Sequence, residues 1–315
     1  MNTTLKDSNS THWVNNTPAN IRPFLQLSRL DRPIGYWLLT LPGWMALAFS
    51  SYHHGVSLSD IKWAILILVG AVAMRGAGCT YNDIIDQNLD IQVNRTALRP
   101  LPSGAVSNKQ AWIWVILQCL IGLLCWSILP YVSKVIALLS IPLVMAYPFM
   151  KRITWWPQIW LGLTFNWAVL VAYSAKTLTL NLPVILFYLA LVFWTIGYDT
   201  IYACQDLEDD IKVGIKSTAR KFGKKVKTGI GTSYFISIFL IFLSKFLQAG
   251  QINKYEVCII LAGILPFAFH LFYQVFNFKP ADKEKSLYTF KSNKFAGMLL
   301  ILSWFFIGLM FTHIN

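Results

Sequence analysis

The sequence predicts an all-α, polytopic membrane protein, and three observations carry that reading. Of 315 residues, 56% are apolar and only 13% are charged, against about 25% charge in an ordinary soluble domain. The mean hydropathy is +0.51. Nine apolar stretches, at 33–51, 63–85, 111–129, 131–149, 156–175, 182–204, 229–248, 256–277 and 296–312, reach or approach the roughly 20 residues that cross a hydrocarbon core. Helices are the expected spanning form, because lipid offers no partner to an unpaired backbone group. A membrane barrel needs strands that alternate apolar and polar, and runs such as Ile61–Val72 do not alternate.

The net charge of +13 raises the question of nucleic acid, and its distribution answers it. With the N-terminus inside and nine spans, 21 of the 27 basic residues fall on one side and five on the other. That is the positive-inside pattern. The basic excess therefore reads as topology, with the N-terminus and the basic loops cytoplasmic and no nucleic-acid partner. The lipid bilayer is the expected surrounding. The five cysteines sit in apolar stretches, and no spacing suggests a zinc site or a disulfide framework.

Taken in order, residues 1–20 are polar and rich in Asn, Ser and Thr. They have neither the plan of a signal peptide nor that of a transit peptide. They read as a disordered tail, followed by a single transmembrane domain over 21–315. The missing transit signal favours a bacterial inner (plasma) membrane. Span two ends in an acidic cluster, then Pro100 and Pro102 force a turn. Span four ends at Pro148, where the helix is expected to kink or stop, just before Lys151 and Arg152. Trp155 and Trp156 follow as interfacial aromatics. Span six ends in a second acidic cluster, and a lysine-rich run through Lys227 follows that faces anionic headgroups. Spans seven to nine complete the chain.

Eight of the 14 acidic residues lie in those two clusters: Asp83, Asp86 and Asp90, then Asp199, Asp206, Glu208, Asp209 and Asp210. Asp83, Asp86 and Asp90 are spaced i, i+3, i+7, one face of a helix, with Asn82 and Asp86 at i, i+4 on its edge. Asp199, Asp206 and Asp210, at i, i+7, i+11, again share one face. Like charges so stacked repel, and acids at a membrane edge are functional by default. Carboxylate oxygens suit Mg²⁺, which takes one or two protein carboxylates plus substrate phosphate oxygens. The expected ligands are Asn82, Asp83, Asp86, Asp90, Asp206 and Asp210. Glu208 and Asp209 read instead as a solvated helix end.

A diphosphate also needs cations. Arg95 and Arg99 are a turn apart if the helix runs on to Leu98, and Lys212 and Lys216 stand at i, i+4 after the second cluster. Positive-inside anchoring explains either arginine equally well. Arg75 lies inside an apolar span, where a charge needs a partner such as a diphosphate or an acidic stripe. Lys151 and Arg152 stand near the same face and suit an anionic acceptor.

Asn82-Asp83-x-x-Asp86-x-x-x-Asp90 resembles the first aspartate motif of the UbiA-type intramembrane prenyltransferases, and Asp206-x-x-x-Asp210 resembles their second. Longer strings are similar to the 4-hydroxybenzoate polyprenyltransferase branch: Arg95-Thr96-x-x-Arg99-Pro100-Leu101-Pro102-Ser103-Gly104, Tyr147–Arg152 with Trp155–Gln158, and Tyr198–Tyr202 through Gly214–Thr218. Arg29-x-Asp31-Arg32-Pro33-Ile34-Gly35 and Phe290-x-Ser292-Asn293-x-x-x-Gly297 also resemble that branch. The resemblance covers residue 25 onward. Asn88 stands where an acid is common, and Glu208 where Asp is common.

The resemblance implies nine helices in two four-helix halves plus one, with a lateral opening for a lipid tail. It implies Mg²⁺-assisted ionisation of a polyprenyl diphosphate and attack by 4-hydroxybenzoate through the ring carbon ortho to its hydroxyl, as in ubiquinone biosynthesis. Asp83 and Asp206 serve that chemistry. Asp199 is the candidate for orienting or deprotonating the acceptor. Lys151, Arg152 or Arg32 would pair with the acceptor carboxylate. Tyr202 or Phe165 could shield the cation, although core packing explains both rings equally well. Two alternatives stand beside this. One is the same fold with another acceptor: homogentisate, a naphthoate, a chlorin or haem. The other is a cation transporter, against which the acids lie at one membrane side and not at mid-depth.

Overall fold

The computed structural model describes residues 12–91, 96–250 and 253–312. They are mostly helical, with no strand among them. The helices are α1 (Arg22–Leu27), α2 (Ile34–His54), α3 (Leu58–Asp90), α4 (Asn108–Ile128), α5 (Tyr131–Leu139), α6 (Ile141–Ile153) and α7 (Pro157–Phe165). Then come α8 (Trp167–Thr177), α9 (Leu182–Ala203), α10 (Leu207–Val213), α11 (Thr218–Phe222), α12 (Val226–Ala249), α13 (Lys254–Asn277) and α14 (Lys283–Thr312).

Among the described residues, seven helical segments are long and apolar enough to cross a membrane: 58–90, 108–128, 131–153, 182–203, 218–249, 254–277 and 283–310. The expected count of nine is not met by that measure. The first expected span is α2, a 21-residue helix with Pro42 inside it. The fifth is broken into α7 and α8 at Asn166, whose side chain donates to the Gly162 carbonyl at 2.8 Å. The fourth is also interrupted, at Ser140, but α6 continues through Pro148 to Ile153. So Pro148 does not end it.

The tail expected over residues 1–20 is ordered in its described part. Trp13–Asn16 form a 3₁₀ turn with Val14 buried, and Arg22 Nη2 donates to the Thr17 carbonyl at 2.9 Å. Residues 1–11 lie outside the described residues.

The chain divides into two compact units. The first comprises the chain up to Leu39 and Leu68–Ile128. Leu27, Leu101, Val106 and Ala111 form a buried cluster there, with Phe24, Ile84 and Trp114 against it. Ser28 ties the N-terminal segment to α4, accepting from Trp114 Nε1 at 2.8 Å and donating to Gln118 Oε1 at 3.2 Å. Of α4, only Ala111 and Gln118 are buried, while Ile116, Leu120 and Leu124 are exposed. Such a row of exposed aliphatics requires lipid.

The second unit comprises Thr40–Ile67 and the chain from Leu129 onward. Its centre is α9, packed against α7, α8, α12 and α14 and buried over most of its length. Asn181 caps α9, accepting from Val184 N at 3.1 Å, and Asn253 caps α13 in the same way. Lys176 pairs with Asp60 at 2.7 Å. Lys245, wholly buried, donates to the Phe49 carbonyl at 2.5 Å and lies over the Phe49 and Trp304 rings.

Candidate active site

In the first unit, α3 carries the first aspartate cluster to its last residue. Asp83 and Asp86 are fully buried and Asp90 nearly so, while Asn82 is half-buried. Apolar neighbours do not tolerate naked carboxylates, and the compensation is visible. Arg29 Nη2 donates to both Asp83 oxygens, at 2.6 and 2.8 Å. Arg99 Nη1 donates to Asp90 Oδ2 at 2.7 Å and to Asp83 Oδ1 at 3.2 Å. Two arginines and two carboxylates thus form one buried network. Burial alone would lower the pKa of Arg29, but the surrounding charges, Asp83 foremost, raise it above its ordinary value.

The helix does not run on to Leu98. It stops at Asp90, where Thr96 Oγ1 donates to the Asp90 carbonyl at 2.7 Å, and turns follow through Gly104. Those turns fold Arg99 back over the end of α3. Arg95 lies outside the described residues. Arg75 projects from α3 against Gly35, where an added Cβ would come within 2.8 Å of its Nε. Arg32 Nε lies 3.4 Å from Asp31 Oδ2, an acid next to it in the chain.

In the second unit, the predicted continuous stripe is broken. Asp199 sits half-buried on α9, but α9 ends at Ala203. Gln205 N and Asp206 N bond to the Tyr202 and Ala203 carbonyls, three residues back, which tightens the chain into a turn. Asp206 then stands at the N-cap of α10, and Asp210 lies one turn along it, its N–H donating to the Asp206 carbonyl at 2.8 Å. Asp206 and Asp210 therefore share α10, apart from Asp199. The side chains of Glu208 and Asp209 lie outside the described ones.

The loop after α10 docks on the end of α6. Lys216 N donates to the Lys151 carbonyl at 3.0 Å, and Lys216 Nζ to the Ile153 carbonyl at 3.1 Å. So Lys216, one of the residues expected to bind diphosphate, meets the backbone at Lys151, one of those expected to bind the acceptor. Lys212 is exposed in the last turn of α10. Gly214, at φ +76°, reverses the chain after it. Thr218 clamps the loop further, its N–H donating to Gln158 Oε1 at 3.1 Å and its hydroxyl meeting Thr200 at 2.5 Å. Arg220 donates to the Asp210 and Ile215 carbonyls and stacks over Trp155 at 5.3 Å. Half-buried Tyr202 packs on Phe290 with ring centroids 4.7 Å apart.

Two organising residues escaped the sequence reading. Arg29 stood only within the Arg29–Gly35 string and Arg220 only within the basic run through Lys227, neither as a site residue. The available signal was the rule that a buried acid requires a cation, but their partners are set by tertiary contact.

Among the described residues no three His, Cys, Asp or Glu side chains converge as a ready-made metal cage. The donor set nevertheless fits Mg²⁺. Every candidate offers oxygen, and Mg²⁺ takes only one or two protein carboxylates where a substrate phosphate completes its shell.

A model of the UbiA prenyltransferase family matches residues 36–300. The Rattus norvegicus protein called "4-hydroxybenzoate polyprenyltransferase, mitochondrial" is 38% identical over 293 residues, 92% of this chain and 75% of that one. The Arabidopsis thaliana protein of the same name is 45% identical over 220 residues, 69% of this chain and 54% of its own, so this chain spans about half of that relative. Among solved structures, a UbiA homolog from Aeropyrum pernix K1 superposes with a TM-score of 0.68 at 24% identity, covering 86% of this chain and 97% of that one. A UbiA homolog from Archaeoglobus fulgidus bound to GPP and Mg²⁺ gives 0.66 at 20% identity, covering 90% and 99%. The likeness to these two carries the fold. With a lipid-facing all-helical architecture, two aspartate clusters at helix ends and a family match over most of its length, the chain belongs to the UbiA prenyltransferase family.

Proposed function

We propose that this chain transfers a polyprenyl group from its diphosphate to the 3-position of 4-hydroxybenzoate. The observation that carries the reading is the concentration of buried or half-buried carboxylates at the ends of apolar helices, each set beside basic side chains. The relatives named as 4-hydroxybenzoate polyprenyltransferases support the acceptor, and the neighbour bound to GPP and Mg²⁺ supports the donor.

Asn82, Asp83, Asp86 and Asp90 on α3, with Asp206 and Asp210 on α10, are the proposed Mg²⁺ ligands. The metal, when bound, would supply positive charge against the departing diphosphate. The protein's own cations share that role: Arg75, Arg95, Arg99, Lys212 and Lys216 bind and neutralise diphosphate oxygens. The allylic C–O bond breaks with its electron pair leaving on the diphosphate. The Tyr202 face, held by Phe290, stabilises the cation, and the apolar surroundings exclude the water that would quench it. Lys151, Arg152 or Arg32 holds the acceptor carboxylate. The ring carbon ortho to the hydroxyl forms the new C–C bond, and its proton leaves, with Asp199 as the candidate acceptor. The products are 3-polyprenyl-4-hydroxybenzoate, diphosphate and a proton.

The test is prenyl transfer from geranyl diphosphate to 4-hydroxybenzoate by the purified chain in detergent. Product is expected with Mg²⁺ and not with EDTA. Asp86→Asn and Asp206→Asn should each lower the rate by more than about a hundredfold. Product with homogentisate or a naphthoate alone would overturn the acceptor. No product with any acceptor from protein that unfolds cooperatively would overturn the reaction.

A further inference from the structure

On the lipid-facing side of the second unit, a groove of about 480 Å³ lies along the first two turns of α12, lined by Lys227, Thr228, Gly231, Thr232, Phe235 and Val275. The first five residues share one face of α12, and Lys227 to Phe235 spans about 12 Å along its axis. The groove is graded. At its head, exposed Lys227 donates to the Phe276 carbonyl at 2.9 Å and lies 6.0 Å from the Phe276 ring. An ammonium has three donors, so that bond leaves Lys227 able to bind an anion. The Thr228 and Thr232 hydroxyls make no hydrogen bond with any described residue, whereas the Ser233 hydroxyl beside them bonds back to the Gly229 carbonyl at 2.9 Å. At its foot are Gly231, which adds no bulk, and the exposed ring of Phe235. Exposed Phe239 stands one turn further along α12, and Phe272 is exposed on α13.

Charge completes the pattern. Lys224 and Lys225 stand exposed just before α12. The helix α12 has no acidic residue, and the only one on α13, Glu256, is in its first turn, far from Phe276. A polar, cationic head above an apolar channel in a membrane-facing groove matches one molecule class.

We propose that this groove is a specific site for an anionic phospholipid, with the phosphate at Lys227, Thr228 and Thr232 and an acyl chain along Gly231 and Phe235. The site is separate from the aspartate clusters and does not depend on the prenyl-transfer reading. It differs from general attraction of the basic loop to a charged surface, because it puts one lysine and two hydroxyls ahead of their neighbours.

The test is native mass spectrometry of the delipidated full chain in detergent, with phosphatidylglycerol or phosphatidylcholine of identical acyl chains. One phosphatidylglycerol per chain is expected to survive at concentrations where phosphatidylcholine does not, and added inorganic phosphate should not displace it. Lys227→Gln should lower the retained fraction about fivefold. The double variant Thr228→Val with Thr232→Val should also lower it, and serves if Lys227→Gln does not fold. Lys224→Gln with Lys225→Gln should change it less than twofold. Equal retention of the two lipids, or wild-type retention by the Lys227 and threonine variants, overturns the site. So does an equal loss on removing Lys224 and Lys225.

Discussion

Arg29 adopts φ +55°, a left-handed conformation that a side chain with a Cβ seldom takes. It ends the α1 segment in a turn and turns its guanidinium onto Asp83. Strain of this kind persists where surrounding contacts hold it. Here the contact is a buried ion pair, and removing one partner leaves an uncompensated charge. Arg29→Ala should therefore cost about 3–5 kcal/mol of stability. Denaturant unfolding in mixed micelles checks this, and a loss under 1 kcal/mol would mean that Arg99 alone satisfies Asp83. The two acids that Arg99 joins are seven residues apart on one helix, a spacing the sequence displays openly. The Arg29 partnership is 54 residues long, and no local pattern reports it.

The ends of helices, more than their middles, shape the candidate site. Every expected span corresponds to helix, because twenty apolar residues in lipid have little alternative. Boundaries were less legible. The second acidic stripe fits one helical face on paper, yet the chain tightens after Tyr202 and restarts at Asp206. The helix α3 stops at Asp90, short of the Leu98 to which it would have to run for Arg95 and Arg99 to stand a turn apart. Gly214 shows how such a boundary serves function. Its φ of +76° turns the chain so that Lys216 reaches α6, and nothing lies within 4 Å of a Cβ placed there. Backbone strain alone then sets the effect of Gly214→Ala, about 1–2 kcal/mol against the native turn. The expected outcome is a several-fold rise in KM for geranyl diphosphate with kcat little changed. An unchanged KM would separate Lys216 from diphosphate binding.

At the scale of the molecule, hydropathy and charge predict a topology before any contact is known. The 21-to-5 division of basic residues predicts that the loops at Lys109, Lys216 and Lys283 share a side that Lys134 and Lys254 do not. Single cysteines at those positions in a cysteine-free background should label with an impermeant maleimide from opposite faces of sealed vesicles. Mixed labelling within either set would overturn that topology.

By itself, the sequence determined the class of the molecule and singled out its candidate site residues: long apolar runs admit only spanning helices, and acids concentrated at their ends point to a cation-dependent site. Only the tertiary structure decided which cations answer which acids. It also decided that the second stripe is divided between α9 and α10, and that the Lys216 loop meets Lys151. The physical reason is range. Helix formation and membrane insertion are set by neighbouring residues along the chain, whereas charge compensation in a low-dielectric interior is set by whatever folding brings within about 3 Å.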